Sequence, residues 1–235
     1  MQVAQRETTD MVSDDVYFVQ DGDRRPWDTL LSLGSERYDG PTHVDAVQFV
    51  NTNMPGKARS RLGLTKPLMR RSFLIQYGLL YDEKIHGCDE DFHLYLACLL
   101  NGARFVVLPE PYYFYRRRRG SLMAGNRLDV LETIRGGNVR LLQQEIVRED
   151  PNLVGALSER LLAVNERIVY YKVLAPFKQR NFSQALSETL RNPIVLKLLA
   201  AQIPVIVHYR ARRLAGKVLR RSSVEKTERP SRVPA

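Results

Sequence analysis

Gly87-Cys88-Asp89-Glu90-Asp91-Phe92 sets three consecutive acids at the head of a segment, Asp91 to Asn101, in which Phe92, Tyr95, Leu96 and Leu99 fall at i, i+3, i+4 and i+7. That spacing is one face of an amphipathic helix, and Gly102 just beyond it supplies a C-terminal stop. Two readings of the acids stand side by side. In one, Asp89 is the N-cap, and Glu90 and Asp91 complement the positive end of the helix dipole. In the other, a carboxylate kept ionised by the same terminus takes a proton from an incoming hydroxyl, with Asp91 as the candidate base.

Working outward, Lys66 to Ile75 (KPLMRRSFLI) reads as a short helix with Pro67 in its first turn, showing Arg70 and Arg71 to one side. On the other flank, Arg104 to Leu108 reads as a strand ended by Pro109. Tyr112 to Tyr115 reads as another, running into Arg116, Arg117, Arg118 and Arg119. Nearer the start, Met11 to Val19 is rich in β-formers and precedes a turn at Asp21-Gly22-Asp23. Asp39-Gly40-Pro41 is expected to turn into a short helix containing Val44, Val47, Phe49 and Val50, and Asn51 to Arg61 to form a loop. From Arg127 onward long helical patterns dominate, with breaks expected near Asp150-Pro151, Ala175-Pro176 and Asn192-Pro193. The domain boundary is expected near Gly125, and Ser222 to Ala235 reads as a loose tail.

The chain has 235 residues, 44% of them hydrophobic, which suffices for a sizeable core and excludes general disorder. The 36 Lys and Arg against 26 Asp and Glu give +10, a sign that suits an anionic partner. Nucleic acid is ranked last, because there is no recognition motif and the arginines lie beside acids that would repel phosphates. Cys88 and Cys98 are too few for a disulfide scaffold and lack zinc spacing. Met1 to Asp10 has no apolar core of a signal peptide, and the nearest apolar run, Pro193 to Tyr209, is interrupted by Lys197 and Pro204. A cytoplasmic location follows as the expectation. Pro193 to Arg221 joins an apolar half to a basic one. It suits either an anionic membrane surface at the inner face of the plasma membrane or a docking helix with a solvated end. His93 is expected to point away from Asp91, and the four histidines form no constellation.

Taken together, the Pro67-Leu68-Met69-Arg70-Arg71-Ser72-Phe73-Leu74 run, the Tyr81-Asp82-Glu83 turn, the Glu90-Asp91-Phe92 triplet, Gly102-Ala103-Arg104-Phe105 and the Leu108-Pro109-Glu110-Pro111-Tyr112-Tyr113-Phe114-Tyr115-Arg116-Arg117 run resemble family-2 glycosyltransferases of the GT-A type. The likeness is to those of succinoglycan biosynthesis. The fold implied is α/β: a partial GT-A, Rossmann-like nucleotide-diphospho-sugar transferase domain at 1–125, its acceptor-side half, then a mainly helical extension at 126–221 and a flexible tail at 222–235. By resemblance Asp91 is the catalytic base of an inverting transfer from a nucleotide sugar to a glycan or lipid-linked acceptor, and Glu90 orients that acceptor. Lys66, Arg70, Tyr115, Arg116 and Arg117 fall in segments that imply substrate or diphosphate binding, although an arginine run is also an ordinary solvated loop. A divalent cation, magnesium or manganese, is implied at the departing diphosphate. Its Asp-x-Asp motif is not identifiable here, and Asp14-Asp15 and Asp21-x-Asp23 are not assigned to it. The family's nucleotide-binding half has no counterpart in this sequence. The resemblance therefore also fits a separate chain supplying that half, a truncated frame or a non-catalytic remnant, with an unpaired sheet edge prone to self-association.

Overall fold

The computed structural model describes residues 6, 8–34, 38–56, 61–83, 85, 89–118, 127–198 and 200. The chain divides into two compact units, Met1–Tyr171 and Lys172–Ala235. The boundary expected near Gly125 and the tail from Ser222 lie outside the described residues.

The first unit is α/β, as expected. Strand β1 (Met11–Gln20) lies parallel to β5 (Phe105–Arg117). The other edge of β1 carries β2 (Asp28–Thr29) and β4 (Leu68–Met69), both antiparallel, and β3 (Thr42–Val44) pairs antiparallel with β5. The order is β2-β1-β5-β3.

Two strands expected in the 104–115 region are thus one. Pro109 and Pro111 cannot donate to a ladder, and the chain answers by bulging there instead of stopping. Ser13 pairs with Val107 and Asp15 with Pro111, so β5 inserts extra residues between those pairs. The backbone N–H of Tyr112 donates to Asp14 Oδ2 at 2.9 Å, fastening the bulge.

Val44 is the last residue of β3, not part of a helix. Helix α1 (Ala46–Thr52) starts after it with a capping box built from Asp45 and Gln48. Likewise the helix expected from Lys66 begins only at Arg71 (α2, Arg71–Gln76). The Leu68–Met69 pair is drawn instead onto the free edge of β1, because Pro67 biases the residues around it toward extended geometry. Helix α3 (Glu90–Leu100) is where its pattern put it, and Gly102 at φ +83 turns the chain back into β5. Its buried face of Phe92, Leu94, Tyr95, Leu96 and Cys98 packs with Met11, Phe49 and Phe105 in one core. Burial pushes the Cys98 thiol up to about 11, so it stays protonated at neutral pH.

Helices α4 (Arg127–Gln143), α5 (Glu145–Arg148) and α6 (Pro151–Lys178) follow. The break before Pro151 falls as expected, with Asp150 accepting from the N–H groups of Asn152 and Leu153. The break expected at Ala175-Pro176 does not occur there, since Pro176 sits inside α6. The helix ends at Lys178, and the turn beyond it carries Arg180 at φ +61, with Asn181 N–H bonding back to Pro176 O and Arg180 N–H to Phe177 O. Asn181 then caps α7 (Phe182–Arg191), which stops before Pro193.

Candidate functional site

Asp91 lies in the first turn of α3, and three elements converge on it. Lys66, just ahead of β4, forms an ion pair with Oδ2. Tyr81 donates to Oδ1 at 3.0 Å, and Tyr95, one helical turn along α3, reaches the same oxygen at 3.3 Å and the Thr65 carbonyl at 3.3 Å. Burial and then the Asp91 charge push both phenols above their ordinary range, so each keeps its proton for donation. A carboxylate offers about four acceptor positions. Three are occupied, which leaves one lone pair for a proton. The Asp91 side chain is 22% exposed, within reach of solvent.

Glu90 sits beside it, and its Oε2 is buried with no hydrogen-bond partner among the described residues. Such an oxygen is an acceptor still owed a donor.

Asp89 does not cap the helix. It occupies the left-handed region at φ 75, makes no side-chain cap bond, and directs its carboxylate to Arg160 on α6, Oδ1 to Nη2 at 2.6 Å. An Asp tolerates that backbone better than most residues, and the ion pair outcompetes the cap. Arg160 is 1% exposed. Its other donors reach Asn138 Oδ1 at 2.9 Å and the Asn53 carbonyl at 3.4 Å, and its guanidinium lies 3.7 Å from the centre of the Phe92 ring. His93 Nε2 stands 3.7 Å from the second Asp89 oxygen. A Cβ on Gly137 would come within 2.6 Å of that nitrogen, which is why α4 carries a glycine where it meets the imidazole. Neither Arg160 nor Asn138 was anticipated from the sequence.

The remaining predicted residues lie elsewhere. Arg70 straps the chain start, reaching Asp10 at 3.4 Å and the Thr9 carbonyl at 2.9 Å. Arg116 and Arg117 are in register with Val19 and Gln20. Lys66 precedes β4, whose Leu68 is opposite Val12. The two groups are thus separated by several strand positions, on the order of 20 Å at about 3.3 Å per residue. Arg116 faces Asp21 at 3.6 Å, Arg117 lies over Phe18 and Trp27 at 5.8 and 5.7 Å, and Tyr115 packs edge-on against Phe18. The Lys66–Asp91 group and the Tyr115–Arg117 group are therefore two separate clusters that the structure does not bring together.

The acids near β1 do not suit a divalent cation. Asp15 is buried and accepts from Val16 and Leu31 N–H, Asp14 holds the bulge, and Asp21 faces Arg116. Among the described residues no three His, Cys, Asp or Glu side chains converge as a metal site. No helix among them is long and apolar enough to cross a membrane.

With this geometry in view, the chain resembles proteins of succinoglycan biosynthesis, as its motifs indicated. It is 30% identical over 165 residues to succinoglycan biosynthesis protein ExoU of Rhizobium meliloti (strain 1021), covering 69% of this chain and 47% of that protein. It is 27% identical over 175 residues to succinoglycan biosynthesis protein ExoO of the same strain, covering 74% and 48%. The chain spans about half the length of the curated relatives it matches. No family model matches it.

Proposed function

We propose that this chain is, or is part of, an inverting family-2 glycosyltransferase of the GT-A type in exopolysaccharide assembly, taking a sugar from a nucleotide sugar to a glycan or lipid-linked acceptor. The observation that carries the reading is the Asp91 carboxylate, fixed by Lys66, Tyr81 and Tyr95 with one acceptor position left. In the reaction the acceptor hydroxyl oxygen bonds to the anomeric carbon as the bond from that carbon to the diphosphate breaks on the opposite face. The hydroxyl proton passes to Asp91. Glu90, next to Asp91 in the first turn of α3, orients the acceptor for the attack. Tyr115, Arg116 and Arg117 stand too far along the sheet to meet the diphosphate of a sugar attacked beside Asp91, and they have no part in this step. Lys66 and Arg70 hold the acceptor side.

A magnesium or manganese ion belongs to the proposal as the partner of the diphosphate. The described residues do not fit it. Its ligands would come with a nucleotide-binding half supplied by another chain or segment. Work at the inner face of the plasma membrane, from the cytoplasmic side, is likewise proposed.

The test is metal-dependent release of nucleoside diphosphate from a panel of nucleotide sugars, for the wild-type chain and Asp91→Asn. Release that the substitution lowers by about 10²-fold or more supports the base. Release unchanged by Asp91→Asn removes it from the mechanism. Neither release nor nucleotide binding would favour the second reading, a partner subunit or non-catalytic remnant.

A further inference from the structure

Helix α7 carries an apolar stripe that stays exposed among the described residues. Phe182, Leu186 and Leu190 recur at i, i+4 and i+8, one line along the helix, and are 59%, 61% and 74% exposed. Phe177, whose ring meets that of Phe182 edge-on at 5.6 Å, extends the stripe on one side, and Ile194 and Leu196 extend it on the other. The opposite face is polar, with Ser183, Gln184, Ser187, Glu188 and Arg191. Leaving three large side chains in water along one line is unfavourable and marks a surface that is covered in use.

Charge identifies the cover. Residues 172–235 hold 14 Lys and Arg against 3 Asp and Glu, whereas residues 1–171 hold 22 against 23. The whole positive excess of the chain therefore falls in residues 172–235, and the described part, 172–200, holds five Lys and Arg against one acid. Lys178, Arg180, Arg191 and Lys197 flank the stripe, and Glu188 is the one acid in residues 172–200. A second copy of this chain would bring like charge against like. An anionic surface would not, and an amphipathic helix with an aliphatic and aromatic face between basic flanks is the form that lies in the plane of a lipid headgroup layer.

We infer that α7 is a membrane-docking helix that seats the chain on anionic lipid through Phe182, Leu186 and Leu190, with the flanking cations on the headgroups. The stripe adjoins the Pro193 to Arg221 stretch that the sequence suggested, most of which lies outside the described residues, and the inference deepens the proposed action on a lipid-linked acceptor, on which its purpose rests.

The experiment is co-sedimentation of the full chain with vesicles of phosphatidylcholine alone or mixed with phosphatidylglycerol. Binding is expected to the anionic vesicles only and to weaken in high salt. It should fall about tenfold or more in Leu186→Glu/Leu190→Glu, which deletes the buried apolar contact, and also in Lys178→Glu/Arg180→Glu. These side chains are exposed, so the circular dichroism spectrum and melting temperature should not change. Equal binding to both vesicle types, no binding, or binding indifferent to the leucine pair would overturn the inference. A doubled mass in size exclusion that Leu186→Glu abolishes, without vesicle binding, would assign the stripe to self-association instead. Vesicle binding without nucleoside diphosphate release would leave the docking helix standing and sink the transferase reading, and the reverse result would do the opposite.

Discussion

A buried guanidinium is tolerated only when its charge is answered and its donors are used. Arg160 meets both conditions through Asp89, Asn138, the Asn53 carbonyl and the Phe92 ring. Removing it strands the Asp89 carboxylate, already left-handed in its backbone, directly ahead of Glu90 and Asp91. Arg160→Met should cost about 3–5 kcal/mol in urea unfolding, and adding Asp89→Asn should recover part of that loss. A cost below about 1 kcal/mol would mean the pair is dispensable. His93 gives a pH signature at the same place. Burial holds its pKa below the ordinary value, while the neighbouring Asp89 opposes the shift. The folded protein thus prefers the neutral ring, and below about pH 6.5 the unfolded chain takes up the proton first. Stability is intact above that point and declines as pH falls through the folded value. The urea midpoint should drop between neutral pH and about pH 5.5, and His93→Gln should flatten the slope. A slope identical in both proteins would remove His93 from the account.

At the scale of elements, helix α3 was legible because its apolar residues keep phase over the whole helix, and β1 because β-formers cluster in it. What the pattern concealed was pairing. Leu68 and Met69 look helical beside Arg70 and Arg71, and only the free edge of β1 makes them a strand. Pro109 and Pro111 signal termination locally, yet a bulge tied by Asp14 carries β5 through them. Within the site, Glu90 and Asp91 were visible as acids before a helix, and Tyr81 as part of a motif. Arg160 had one sign: it falls in phase with Leu153, Ala156, Leu157 and Val164 on the buried stripe of α6, where a charge is out of place. The same pairing view exposes a weak edge. Beyond Val107 the side of β5 away from β1 has no partner strand among the described elements, and Tyr112, Tyr113 and Phe114 are exposed along it. Such an edge invites pairing between chains. Sedimentation velocity should show association that grows with concentration and is reduced in Tyr113→Lys, while a concentration-independent monomer would show that the edge is already blunted.

For the whole molecule, the sequence suggests a catalytic half followed by an appendage, but the first compact unit runs to Tyr171 and takes in α4, α5 and most of α6. A chain ending at residue 126 would lack Asn138 and Arg160 together with Leu141, Val147, Leu153 and Leu157 of the main core. It should give no cooperative urea transition, and a sharp one would restore the appendage view. The ion pair that bridges 71 residues, Asp89 to Arg160, also has a history within each molecule. During translation at about 5–20 residues per second, Asp89 is synthesised roughly 4–14 s before its counter-charge. The turn bearing Glu90 and Asp91 cannot settle during that interval. A nascent chain is thus kept from presenting a finished acid pair until the ribosome has nearly completed the unit that supports it.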